Sequence, residues 1–589
     1  MASISTTPTG AAAGVMRHAW LIASIVPFAL LAMWTWKSCP DPVVDFGREV
    51  YVPWRLAQGE QLYRDIAHFN GPFSQYFNSV AMRVGGASLM TIKVANLLTS
   101  AGTLAIILLL AKTLADEVCA LLCAMCFCIF FAFNQTAQNA NFNWLTPYSH
   151  ELTHGVAFSL AMIVSLCRAI RTRHLRWSFF AGMLLGFVML TKAEVMLASG
   201  VGAGVMLLTG RATRKLISGF VAGAIATTLA ALILLLCAMP FDVAWKGIAG
   251  SWLFLGNDRL MKMSYFAWLN GTNDIAGNLK TMILWLAIYC LPIGMAIWLA
   301  RRVHKKFIWI ASSIAVVVGF EIVYQLFLNR VITTNDFLRP LPVVLVGWAV
   351  HETWRRRGDP QHALIAGLLC FSVLLLLKIL LRTQATHYGF ALAMPGMITA
   401  IILLDRRLRE QSARRWIARA MLLGLLAAPM WNYLRLDRVM IQRRSFSLGE
   451  GANQFSTDTQ RGAPLKDALE SLEKLIRPGD TVAAMPEGLM VNFLLRAKSP
   501  TRDFFWIPPA IAMFGEERML ASLKTHPPDW IVLIHADQSL YDARWFGKDY
   551  AREISFWINR DYQVVQTSGA VPFTSGEFGV QLLHRKEAP

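Results

Sequence analysis

The chain reads as an α-helical polytopic membrane protein that ends in a small α/β soluble domain, and three observations predict it. Of its 589 residues, 55% are hydrophobic and 16% charged, with a mean hydropathy of +0.44; no ordinary soluble domain stays in water with that balance. Apolar runs of roughly 18 to 24 residues recur from Ala19 to about Trp431, each long enough as a helix to cross a hydrocarbon core of about 30 Å. They add up to about thirteen spans. After Arg435 the long runs stop, and short β-rich stretches alternate with helical ones.

The first run, LIASIVPFALLAMWTW, follows Arg17 and His18 and is not followed by an A-x-A site, so it reads as a retained anchor with the N-terminus in the cytoplasm. Lys and Arg in short loops resist translocation, and they gather at every second turn. Arg168, Arg171, Arg173 and Arg176 follow the fourth span; Arg211, Arg214 and Lys215 the sixth; Arg301, Arg302, Lys305 and Lys306 the eighth. Arg355, Arg356 and Arg357 continue the series, then Arg406, Arg407, Arg409, Arg414 and Arg415. These loops are assigned to the cytoplasm. They account for much of the net charge of +19, which leaves nucleic-acid binding as the weaker explanation of the basicity. The opposite loops, about 39–88, 134–150, 239–280, 329–339 and 382–388, are longer and richer in Asn, Trp, Tyr, His and acids, so chemistry is expected there. An odd number of spans puts the tail on that outer side, the periplasm if the membrane is a bacterial inner membrane.

The chain divides into a membrane part with its outer loops (1–435), a polar linker (436–462) and a soluble domain (463–589). In the last, TVAAMPE, DWIVLIH, YQVVQTS and FGVQLLHR read as strands, and PLKDALESLEKLI, EERMLASLKTH and GKDYAREISFWINR as helices. The domain carries no G-x-G-x-x-G, P-loop or nucleophile elbow, so a supporting or acceptor-binding role is expected of it. Eight of the nine cysteines fall within apolar runs, which implies no disulfide framework, and the Cys123-x-x-Cys126 pair reads as helix packing. Neither a tandem repeat nor the two-half symmetry of many transporters is evident.

Two places hold residues suited to chemistry. The first outer loop brings Asp45, Arg48, Glu49, Arg55, Asp65 and His68 next to a membrane-embedded body, where ionisable groups are expensive unless used or paired. On a helix, Asp45, Arg48 and Glu49 share a face, so a carboxylate there could act as general base beside an acid that binds metal and an Arg that binds phosphate. Interfacial salt bridges are the equal alternative. The second place is His150-Glu151-Leu152-Thr153-His154, an H-E-x-x-H whose histidines would fall on one face of a helix and could hold zinc, as in a membrane metalloprotease. No third His follows at metzincin spacing, and Glu194 is the only appealing further acid. Two histidines satisfied at a helix start are the structural alternative. A polytopic lipid or sugar transporter is a third class, suggested by the number of spans; the large polar outer loop and the outer domain count against it.

The order Asp-x-Gly, Pro-Trp-Arg-Leu-Ala-x-Gly, Leu-Tyr-x-Asp, Gly-Pro from Asp45 to Pro72 resembles the first extracytoplasmic loop of the GT-C class of integral-membrane glycosyltransferases, near the protein O-mannosyltransferases and the bacterial aminoarabinose and lipopolysaccharide sugar transferases. GFVMLTKAEVMLA and THYGFALAMPG extend the similarity along the chain. The resemblance implies transfer of a sugar from a polyprenyl-phosphate donor to a hydroxyl of an envelope glycolipid, polysaccharide or protein at the outer face. Asp45 then matches the catalytic Asp that deprotonates the acceptor, giving inversion by single displacement. Relatives often carry an adjacent acidic pair; here Phe46 follows, and Glu49, Asp65 and Glu151 are the candidates for the second carboxylate. Cations for the leaving phosphate would be Lys192, beside Glu194, and Arg339, with Arg48 or Arg55 in reserve. His387 and Tyr388 either line the donor groove or cap a helix. A divalent metal is the one cofactor left open, with Glu151, His150 and His154 as its ligands.

Overall fold

In lipid every backbone N–H and C=O needs an internal partner, so apolar runs of this length must close as helices. The computed structural model describes residues 10–39, 41–138, 140–353, 359–409 and 415–587. Of the predicted cytoplasmic basic residues, Arg355, Arg356, Arg357 and Arg414 lie outside the described residues, as does the N-terminus itself. Among the described residues, eight helices are long and apolar enough to cross a membrane, and Ile22–Thr35, Glu117–Ala132, Leu175–Met189 and Ala193–Thr209 are shorter apolar helices between them. With Leu341–Thr353, which runs up to the undescribed segment 354–358, they fill the places of the predicted spans.

In chain order these begin with α1 (Gly10–Thr35), followed by two short helices in the first long loop, α2 (Phe46–Ala57) and α3 (Phe73–Gly85). Then come α4 (Leu89–Leu114), α5 (Glu117–Cys126) with a π-helical continuation Phe127–Ala132, α6 (His150–Thr172), α7 (Leu175–Met189), α8 (Ala193–Thr209) and α9 (Arg214–Leu236). Side-chain caps start several: Ser88 accepts from the Thr91 N–H, Asp116 from Cys119 and Thr213 from Leu216. Helices α7 and α9 meet through glycines. A Cβ on Gly182 would lie 1.9 Å from the Phe220 carbonyl oxygen, and one on Gly223 2.1 Å from that of Phe179, a close crossing that only small residues permit. Beyond α9 follow Ile275–Ala300, Ile308–Leu328, Leu341–Thr353, Pro360–Leu376, Met394–Arg409 and Trp416–Arg443. Ile283 and Leu291 on the first of these are 66% and 71% exposed, an apolar face open to lipid.

The last helix runs on past 435 to Arg443, and the polar stretch after it forms a hairpin of β1 (Phe446–Leu448) and β2 (Phe455–Thr457). The terminal domain holds a sheet of β3 (Val482–Met485), β4 (Trp530–Ile534), β5 (Tyr562–Gly569) and β6 (Gly579–Arg585) in the order β3-β4-β6-β5. β3 and β4 are parallel, with Ala483 opposite Ile531, and β6 is antiparallel to both its neighbours. Thr459–Leu475, Glu516–Thr525 and Arg552–Asp561 are its main helices. One apolar core runs through Val50, Tyr51 and Trp54 of α2 into Met490, Phe493 and Val532 of this domain. A Cβ on Gly47 would come within 2.5 Å of the Met490 nitrogen, so glycine is what allows the domain to seat on the start of α2.

Candidate functional site

Asp45 stands at the N-cap of α2 with φ 60° and ψ −61°, and its side chain makes no capping hydrogen bond. The carboxylate faces a cavity of about 540 Å³. Arg48, one turn on, shares that wall, with its Nη2 3.8 Å from Asp45 Oδ1 and its guanidinium over the Phe505 ring at 4.9 Å. Burial pushes the Asp45 carboxyl up to about 6, against the pull of Arg48.

The second wall comes from the turn before α8 and the loop before Met394–Arg409. Glu194 Oε1 accepts a hydrogen bond from Lys378 Nζ at 2.8 Å and lies 3.8 Å from Lys192 Nζ. Both ammonium groups also sit over the Tyr388 ring, at 3.8 Å for Lys378 and 5.3 Å for Lys192. Two lysines against one carboxylate leave a positive charge facing the cavity. His387, with φ 51°, is held between Phe142 and Trp268, and burial pushes its ring down to about 4, so it is neutral near pH 7.

The third wall is supplied by the terminal domain through Phe505, Ile507, Pro509, Met513, Leu540 and Tyr541. Tyr541 meets Tyr265 of the outer segment 239–280 at 4.9 Å. Glu487, 5% exposed, stands two residues before the helix Leu489–Leu495 whose first turn packs on Gly47, and burial, with Asp45 and Asp41 nearby, pushes its carboxyl well above the usual range.

Behind the first wall lies a buried polar network. Glu49 Oε1 accepts from Arg48 Nε and Nη2 at 3.3 and 3.2 Å, and Oε2 from the His150 N–H at 3.0 Å, with His150 Nδ1 at 2.6 Å. Glu151 accepts from Gln75 at 3.0 Å and Ser149 at 2.8 Å and lies 3.3 Å from His68 Nε2. His154 Nδ1 contacts Ser74 Oγ at 3.0 Å.

The predicted residues thus separate into three groups. Asp45, Arg48, Lys192, Glu194, His387 and Tyr388 line the cavity; Glu49, His68, His150, Glu151 and His154 form the network behind it. The remaining three are tied up elsewhere. Arg55 binds Glu60, the Tyr51 hydroxyl and the Ser499 carbonyl where the terminal domain docks; Asp65 pairs with Arg64 at the surface; Arg339 ties Asp336 to Asn278 and the Leu381 carbonyl. Sequence reasoning missed Lys378, Glu487 and the aromatic residues of the third wall. A lone Lys ending an apolar run was the only signal for the first.

The H-E-x-x-H residues do not fit a zinc centre. Among the described residues no group of three or more His, Cys, Asp or Glu side chains is arranged to hold a metal ion. Glu151, which would have to activate a metal-bound water, is instead enclosed by three partners of its own.

Residues 70–245 match the family model described as dolichyl-phosphate-mannose-protein mannosyltransferase, a match that begins after Asp45 and covers less than half of the chain. No curated protein matches the chain. Among solved structures, the archaeal oligosaccharyltransferase AglB from Archaeoglobus fulgidus, in complex with an inhibitory peptide and a dolichol-phosphate, is similar at 13% identity with a TM-score of 0.49, covering 88% of this chain and 70% of that one. ArnT from Cupriavidus metallidurans bound to undecaprenyl phosphate is similar at 12% identity with a TM-score of 0.43, covering 95% of this chain and 98% of that one. The family match is thus a likeness over residues 70–245, which include the end of the first loop, α3 to α9 and the turn that carries Lys192 and Glu194.

Proposed function

We propose that the chain moves a sugar from a polyprenyl-phosphate carrier to an acceptor hydroxyl in the cell envelope, at the periplasmic face of a bacterial inner membrane. The observation that carries this reading is a single cavity with the Asp45 carboxylate, loosely paired with Arg48, on one wall and two lysines sharing one glutamate on another. Asp45 takes the proton from the acceptor hydroxyl, the acceptor oxygen bonds to the anomeric carbon, and the bond from that carbon to the phosphate oxygen breaks with its electron pair. Negative charge grows on the departing lipid phosphate, where Lys192 and Lys378 stabilise it. Attack and departure on opposite faces of the sugar invert the anomeric centre. The aromatic side chains of Tyr265, Tyr388 and Tyr541 offer flat apolar faces for the sugar rings.

Glu151 is taken up by His68, Gln75 and Ser149, and His150 and His154 turn their Nδ1 atoms to Glu49 and Ser74, so the transfer step is drawn from Asp45 and the two lysines. With Glu151 and the two histidines so engaged, the protease reading loses its centre. The cavity is lined by loops from one end of the helical bundle and by the terminal domain, which supports surface chemistry over midplane transport.

The test is transfer itself. Purified protein in lipid, given undecaprenyl-phosphate sugars and envelope acceptors from the source cell, is expected to release the carrier phosphate and form an inverted glycoside. Asp45→Asn should fold normally and slow transfer about 10²–10⁴-fold, the usual contribution of a general base. Full turnover in that variant defeats the reading.

A further inference from the structure

The H-E-x-x-H segment does not line the cavity, yet it is buried directly behind the reacting wall. One oxygen of Glu49 receives both the backbone N–H of His150 at 3.0 Å and its ring Nδ1 at 2.6 Å. A carboxylate only accepts, so Nδ1 carries the proton. The other oxygen receives Arg48 Nε and Nη2. Arg48 Nη2 donates in addition to the Tyr148 carbonyl at 3.2 Å, two residues before His150. Arg48 and Glu49 are thus both fixed to the segment that opens α6, and Glu49 is fully enclosed. Gln75 and Ser149, held by Glu151, brace the same turn from its far side.

We propose that His150 is a positioning residue: by occupying one oxygen of Glu49 it limits the hold of Glu49 on Arg48, and so keeps the guanidinium facing Asp45 and the cavity. This rests on the transferase reading above. Without the Nδ1 donor, the enclosed carboxylate keeps the His150 backbone N–H and a long contact from Gln75 Nε2 at 3.5 Å, but these are neutral, and it leans more on Arg48 and draws that cation away from Asp45. Asp45 then loses its nearest positive charge, and its proton becomes harder to remove. The other charged groups around Asp45 stay where they are: Glu49 on the same helix, Asp41 before it, Lys192 at the start of α8 and Glu487 on the terminal domain. His150 itself faces Glu49, with the His154 ring 5.8 Å away and Glu151 next in the chain.

Two amides separate this from a merely structural role. The Asn side-chain nitrogen falls where His Nδ1 stands, whereas the Gln nitrogen falls where Nε2 stands. His150→Asn is expected to keep the acid limb of the pH–rate profile in place and to stay near wild-type turnover. His150→Gln should move that limb to higher pH and lower kcat about fivefold at pH 6, the effect of roughly one pK unit on a group half ionised there, with KM for the lipid donor little changed. Should the Gln variant not fold, Glu49→Gln reads the same device in the opposite sense: it frees Arg48 for Asp45 and moves the limb to lower pH. The protonated-carboxyl infrared band that Asp45→Asn removes is expected to titrate in the same order without turnover. Wild-type protein inert toward every lipid-linked sugar would therefore sink the transferase reading while the band still reports on His150. Identical behaviour of the Asn and Gln variants, or a limb and band unmoved by His150→Gln and Glu49→Gln, overturns the proposal.

Discussion

Asp45 holds a left-handed φ of 60° with no capping bond to compensate it, a backbone choice that a residue other than glycine makes only when its surroundings dictate it. The strain frees the carboxylate from α2 and turns it toward the cavity. Because burial lifts its pKa to about 6, the group is protonated below that pH and a base above it. Transfer should therefore rise about tenfold per unit as pH climbs toward 6 and level off beyond, in an initial-rate profile. Lys378 is the residue to remove on the opposite wall. Lys378→Ala is expected to cost about 2 kcal/mol of stabilisation of the leaving phosphate, near thirtyfold in kcat/KM. Asp45 was legible because it opens a motif. Lys378 was not, because in LLLLKILL a single cation reads as the end of a span reaching for water, and Glu194, its partner, is 184 residues away.

Among the elements, the four strands and two of the three helices expected of the terminal domain formed where their periodicity put them, and the third helix begins only at Arg552, after a turn over 547–551. Local pattern suffices when one face of each element is buried. The hairpin of β1 and β2 was read as linker because its support is distant: the Ser456 N–H donates to the Lys37 carbonyl, and the Ser456 carbonyl accepts from Cys39. Such pairing leaves no mark on a polar stretch rich in Gly and Ser. The α7–α9 crossing is the sharpest element-level constraint. Gly182→Val puts carbon where the Phe220 carbonyl stands, at 1.9 Å, and is expected to destabilise the bundle by about 1–3 kcal/mol. A lowered unfolding temperature in detergent, with the Asp45 chemistry untouched per folded molecule, is the measurement that checks it.

Over the whole molecule, each of the five loops assigned to the outer side contributes to the lining of one cavity, although they are scattered from residue 44 to residue 388, and the turn at Lys192, Lys378 and the terminal domain supply the rest. Hydropathy and Lys/Arg asymmetry carry that much, since the bilayer imposes them on every span separately. The three-walled assembly was beyond reach, because which loop meets which is fixed by helix packing. Alkaline phosphatase fused after Val303 is expected to be inactive, and after Gly451 active, if the chamber faces the periplasm; the reverse pattern would invert the topology. Because Phe505 and Tyr541 complete the chamber, translation must pass residue 541 and the terminal domain must fold before the third wall exists. Products that stop short of it carry only two of the three walls.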